Sequence, residues 1–108
     1  MKPVVLKLAR DDLKEIHDRL VEFGNVPLKK FRGSFEALCI NLTSQPYMYP
    51  EYDFNQKYRK AVIIYDYLVF YQIEKLKDSE RAKIYRVLHG KRDVLPLLDV
   101  VPDGTEGV

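Results

Sequence analysis

The chain has 108 residues, 46% hydrophobic and 31% charged, which is one globular domain's worth of sequence and excludes both a disordered chain and a two-domain one. No apolar run approaches the roughly 18 residues of a membrane-spanning helix, and no signal-peptide stretch follows Met1, so the expected compartment is the cytoplasm. A single cysteine, Cys39, excludes an internal disulfide or a zinc cluster, and a net charge of +2 is too small to mark a nucleic-acid binder.

Val4-Val5-Leu6-Lys7-Leu8 is β-branched and apolar and predicts a first strand over 3–8. From Ala9, Leu13, Ile16, Leu20 and Phe23 recur at steps of three and four, with Asp11 and Asp12 near the start, where negative charge suits the helix dipole. Gly24 allows a reversal, Asn25 can cap a new helix with Pro27 in its first turn, and Leu28, Phe31, Phe35, Leu38 and Leu42 carry the same spacing up to Pro46. A helical hairpin over 9–45 follows. Residues 45–56, with Pro46, Pro50 and three tyrosines, have neither period and read as a loop.

Three strands then follow, over 57–64, 67–73 and 81–89, rich in β-branched and aromatic residues. Tyr65-Asp66 gives hairpin spacing between the first two, without the glycine that would fix the turn type. The class is α+β: a helical hairpin over one face of a mostly antiparallel sheet, with the first strand at an edge or beside the last strand. Its other face and the helix edges would be left poorly covered. Residues 1–98 are expected to form the single domain. The last ten, with three acids and no Lys or Arg, read as a disordered acidic tail over 99–108.

Glycine-rich phosphate loops, His-Glu-x-x-His and Gly-x-Ser-x-Gly are missing, so no metal or cofactor is expected. Cys39 reads as packing, His17 as part of a solvated helix face, and Asn41-Leu42-Thr43 as a glycosylation pattern without meaning outside secretion. The richer stretch is Tyr85-Arg86-Val87-Leu88-His89-Gly90-Lys91-Arg92-Asp93, where a strand end gathers four basic residues. That cluster can bind an anion, or Arg86 and Arg92 can pair with Asp93, Asp66 or another acid and shape the turn. Alternation puts Arg59 on one strand face with Lys57 and Ala61, two cations with little apolar bulk around them. The eight tyrosines read as half-buried sheet residues, with base stacking as the alternative.

Leu13-Lys-Glu-Ile16, Tyr58-Arg59, Tyr67-Leu-Val-Phe-Tyr71 and above all Arg86-Val-Leu-His-Gly-Lys-Arg-Asp93, in this order of elements, resemble the RelE/ParE superfamily of toxins from type II toxin–antitoxin modules. The resemblance covers nearly the whole chain before the tail. It implies a cytoplasmic toxin, of the plasmid-stabilising kind, neutralised by a cognate antitoxin in a hetero-oligomer. The RelE branch cuts messenger RNA on the ribosome, where a base, phosphate-binding cations and an acid must meet at one phosphate. Laid on this chain, its pattern falls on Arg59, Arg92, Ala61, Leu68 and Leu98, and the three apolar residues cannot move protons. His89 keeps that alternative open, with Arg59, His89 and Arg92 as its catalytic set. The Arg-Val-Leu-His-Gly-x-Arg-Asp ending looks more like the ParE branch, whose members bind DNA gyrase and have no established catalytic residues. On that reading Arg59, His89, Lys91 and Arg92 bind the target, while Arg86 and Asp93 are structural.

Overall fold

The computed structural model describes residues 1–99, so all but the first residue of the acidic terminus expected at 99–108 lies outside the described residues. β1 (Val4–Val5) leads into α1 (Lys7–Leu20), and a short 3-10 turn at Val21–Phe23 joins it to α2 (Asn25–Ser44). β2 (Glu51–Tyr52), β3 (Asn55–Ile63), β4 (Tyr67–Lys75), β5 (Glu80–His89) and α3 (Leu95–Leu98) follow. The sheet order is β1-β5-β4-β3-β2; β1 runs parallel to β5 and every other pair is antiparallel. The fold is α+β as the patterning predicts, and β1 lies both at an edge and beside the last strand.

Boundaries differ where local signals compete. The first strand ends at Val5, not residue 8, because Leu6 is the last extended residue. Its N–H bonds Ile84 O at 3.0 Å, while its own carbonyl accepts from Arg10 N at 2.9 Å and so opens the helix. Starting there puts Ala9, Asp12, Ile16 and Leu20 on one buried stripe. Asn25 does not cap α2. Gly24, at φ 99°, takes the N-cap position itself, a backbone conformation that favours glycine. The segment expected to be loop contains β2, which pairs with β3 through Glu51↔Arg59 and Tyr52↔Asn55 and gives the sheet a fifth strand. At the β3–β4 turn Tyr65 and Asp66 are both left-handed, at φ 63° and 60°. That is the requirement of a type I′ turn, met here without glycine.

Two apolar clusters sandwich the sheet. Ile16, Leu20, Phe31, Leu38 and Leu42 of the helices pack on Ala61, Val69, Tyr71, Ile84 and Val87. Opposite them, Tyr52, Tyr58, Phe70, Leu88, Val94 and Leu98 form a second cluster. The outer face is therefore not left bare, as the two-layer reading expects: residues 94–98 fold across it. α3 is held at its C-terminal carbonyls, where helices leave acceptors unpaired, by Arg86 Nη1 donating to Leu97 O (2.9 Å) and Tyr58 OH donating to Leu98 O (3.0 Å). Among the described residues no helix is long and apolar enough to cross a membrane.

Candidate functional site

The strand end that the sequence singles out divides into an inward and an outward half. Arg86 is buried at the sheet's edge, since β1 covers β5 only at Lys83 and Ile84 and leaves Arg86 and Val87 without a strand on that side. Opposite Phe70 and Tyr71, β5 places Arg86 and Ile84, with Tyr85 as the extra residue of a bulge. Asp12 of α1 fills the gap. Its carboxylate accepts Arg86 Nε at 2.8 Å, Arg86 Nη2 at 2.9 Å and the Val87 N–H at 2.9 Å. The bidentate fork raises the Arg86 pKa further, against the opposing effect of burial. Asp12 thus continues the ladder where β1 stops. The acid that pairs with Arg86 is neither Asp93 nor Asp66 but one 74 residues away. A sequence signal existed: Asp12 shares the three-and-four spacing of Ala9, Ile16 and Leu20, and an acid on a buried stripe needs a partner.

The outward half is a turn. His89 Nδ1 accepts the Lys91 N–H at 3.1 Å, so the proton of the neutral ring sits on Nε2, and the ring meets Tyr67 edge-on at 5.1 Å between centroids. Arg92 N donates to His89 O at 3.0 Å, and Gly90 N donates to Asp66 O at 2.8 Å, joining this turn to the β3–β4 hairpin. A Cβ on Gly90 would stand 3.2 Å from that same carbonyl, so the close approach suits glycine. Lys91, Arg92 and Asp93 are exposed, and none of them forms an ion pair among the described residues. Arg92 borders two depressions. One, shared with Glu15, Arg19 and His89, has room of about 10 Å³, enough for one water at most. The other, of about 350 Å³, lies over the outer sheet face and is shared with Tyr52, Phe54, Lys60 and Leu95.

Arg59 stands elsewhere. It faces the helix side of the sheet with the buried Ala61, and the loop over 46–50 folds across it. Its Nη1 donates to Tyr49 O at 2.7 Å, and its guanidinium lies 5.0 Å from the centre of the Tyr47 ring. Tyr47 in turn donates to Glu80, and Tyr71 OH to Pro46 O at 2.8 Å, so the loop is pinned by four side-chain hydrogen bonds, counting Asn41 Nδ2 donating to Tyr49 OH. The cation therefore does not project into open space with Lys57, as alternation alone suggests. Arg59 lies opposite Tyr71, and His89 opposite Tyr67. Four residues along β4 and two strands across place their backbones roughly 16 Å apart.

Of the tyrosines, Tyr52, Tyr58, Tyr67 and Tyr71 are buried and cannot stack on a base. Burial pushes the Tyr71 hydroxyl up to about 12. Cys39 is half-buried, and burial, then the nearby Glu36, raises its thiol above the usual range and keeps it protonated. His17 stands 3.4 Å from Asp18 on α1. Among the described residues no group of three or more His, Cys, Asp or Glu is placed to hold a metal ion.

With this geometry in place, the chain can be set beside known families. A model described as the ParE toxin of type II toxin–antitoxin system, parDE, aligns with residues 4–94, from β1 through the basic turn. No curated protein matches the chain.

Proposed function

The chain belongs to the ParE toxin family of type II toxin–antitoxin systems, and on that premise we propose that it acts in the cytoplasm by binding DNA gyrase and is held inactive by a cognate antitoxin. The observation that carries the non-catalytic reading is the separation of the basic residues. RNA cleavage through the 2′-hydroxyl needs a base, an acid and phosphate-binding cations around one phosphorus. Here Arg59 is committed to Tyr49 O and the Tyr47 ring, far from His89 and Arg92. Ala61 and Leu98 are buried and Leu68 is half-buried, and none carries a titratable group. Binding makes no such demand, and the exposed Lys91 and Arg92 suit contact with an acidic protein surface.

The exposed apolar residues of the hairpin, Phe23, Val26 and Ile40, support a covering partner. Two grooves border that hairpin, one floored by Leu13, Leu28, Phe31 and Phe35, the other by Pro3, Phe35, Cys39 and Ile40. The test uses purified protein in two assays, supercoiling by gyrase and cleavage of messenger RNA with and without ribosomes. Inhibited supercoiling with intact RNA is the expected result. RNA cut by the protein and lost on His89→Ala would replace this reading with the ribonuclease one.

A further inference from the structure

The groove of about 350 Å³ on the outer sheet face has the build of a docking site. Its floor is Tyr52, Phe54, Leu68 and Leu95, and its rim carries Lys60 and Arg92. Phe54 is 73% exposed, unusual for a ring beside a packed cluster. It is nonetheless held, edge-on to Tyr52 at 5.5 Å, and Tyr52 is itself edge-on to the buried Phe70 at 5.1 Å. The wall opposite is fixed by Gly90 N to Asp66 O and by Leu98 N to Val94 O. The groove therefore exists before anything binds, which spares a partner the entropy of ordering it.

One sheet edge opens beside it. Lys60 N donates outward to Pro50 O, and Ile64 N outward to Ser34 Oγ. By the two-residue alternation Val62, between them, also turns its N–H and C=O outward, beyond the reach of β2. Val62 is 57% exposed and pairs across the sheet with Leu68 on the groove floor. An extended backbone can take that single donor–acceptor pair and lay one apolar side chain over Leu68 and Phe54.

We infer that this groove receives a short, extended, acidic loop of the toxin's protein target, with an apolar side chain between carboxylates that meet Lys60 and Arg92. Two cations carry no ion pair among the described residues, against the single acid Asp93 on the lining. A nucleic-acid backbone fits worse, because an apolar floor with two cations neutralises few phosphates. The size separates target from antitoxin: one open edge residue and one pocket suit a short loop. A stable covering partner needs roughly 800 Å² on each side, more than one pocket and one edge residue provide.

This inference rests on the proposed gyrase reading, and the experiment keeps the two apart. Binding of the wild-type chain to purified gyrase is measured beside that of Phe54→Ser and of the Lys60→Glu, Arg92→Glu double variant, at low and moderate salt. Capture by the cognate antitoxin and thermal melting report on folding. The double variant is expected to bind gyrase about a hundredfold more weakly, roughly tenfold for each reversed charge. Phe54→Ser should lose about tenfold, with antitoxin capture and melting unchanged for both. Wild-type binding together with undiminished binding by both variants overturns the groove while leaving the gyrase reading intact. No binding by the wild-type chain removes the gyrase reading, and the groove assignment with it. Equal loss of gyrase and antitoxin binding in folded variants also overturns the assignment, because the groove would then belong to the antitoxin.

Discussion

Asp12→Ala removes the acceptor of three hydrogen bonds at once and leaves the Arg86 side chain, 11% exposed, with only Leu97 O among its former partners. Breaking a buried ion pair from one side costs about 3–5 kcal/mol, because the remaining charge stays out of water. The orphaned Val87 N–H adds about 1 kcal/mol. Against the roughly 5–15 kcal/mol that holds a domain of this size, a loss of about 5 kcal/mol is severe. At roughly 4–8 °C per kcal/mol, it lowers Tm by about 20–40 °C. Arg86→Ala should cost a similar amount, since it strands Asp12 and frees Leu97 O. The pair Asp12→Leu with Arg86→Met buries apolar groups in place of charges and should regain at least half of either loss. Urea unfolding followed by far-UV circular dichroism at pH 7 supplies the three free energies. The paired variant should therefore cost far less than the sum of the two single losses. Single variants that lose under about 1 kcal/mol, or losses that merely add, would refute the view that this pair locks α1, β5 and α3 together.

Arg92→Ala, at an exposed position, should leave the urea midpoint within the equivalent of about 0.5 kcal/mol while weakening growth inhibition in cells; toxicity retained at full strength would move the target surface elsewhere. Replacing Tyr65-Asp66 by Asn-Gly should raise stability by about 1 kcal/mol, since both positions are left-handed; an unchanged or lowered midpoint would show that the tyrosine ring contributes packing that outweighs backbone strain. Stability should also fall at alkaline pH. The folded Tyr71 holds its proton up to about 12, whereas the unfolded chain releases it near 10, so this contribution is complete below about pH 10 and is lost at up to 1.4 kcal/mol per pH unit as pH climbs toward 12. Tyr71→Phe should make that decline shallower in a pH series of urea melts, and an identical slope would refute the assignment.

Regular elements were legible because their signals are local. The stripe Ile16, Leu20 and the stripe Leu28, Phe31, Leu38, Leu42 specify helices over several turns, and the β-branched runs specify β3, β4 and β5. β2 was not, because its two residues become a strand only by pairing with Asn55 and Arg59. α3 was not either: Leu-Pro-Leu-Leu is too short for a period, and its hold comes from Tyr58 and Arg86, far away in the chain. Within the site, the basic turn could be located but not sorted. Nothing near Arg86 announces Asp12, and alternation puts Arg59 on a face without saying that a loop will close over it. Lys60 and Phe54 carry no signal of their own, because a groove made by three separate segments has no sequence motif.

The distance along the chain between Val4 and Lys83, and between Asp12 and Arg86, also governs how the molecule comes into being. A growing polypeptide can pair β3 with β4 early, but the sheet edge and the charge lock wait until Val87 has been made. Contacts so far apart in sequence close slowly, since the loop entropy must be lost before they form. A product that stops short of β5 retains both helices and two long strands but lacks the strand on which α1 rests. Synthesis broken off at that stage therefore yields an unfolded chain for proteases to clear and not a smaller active molecule.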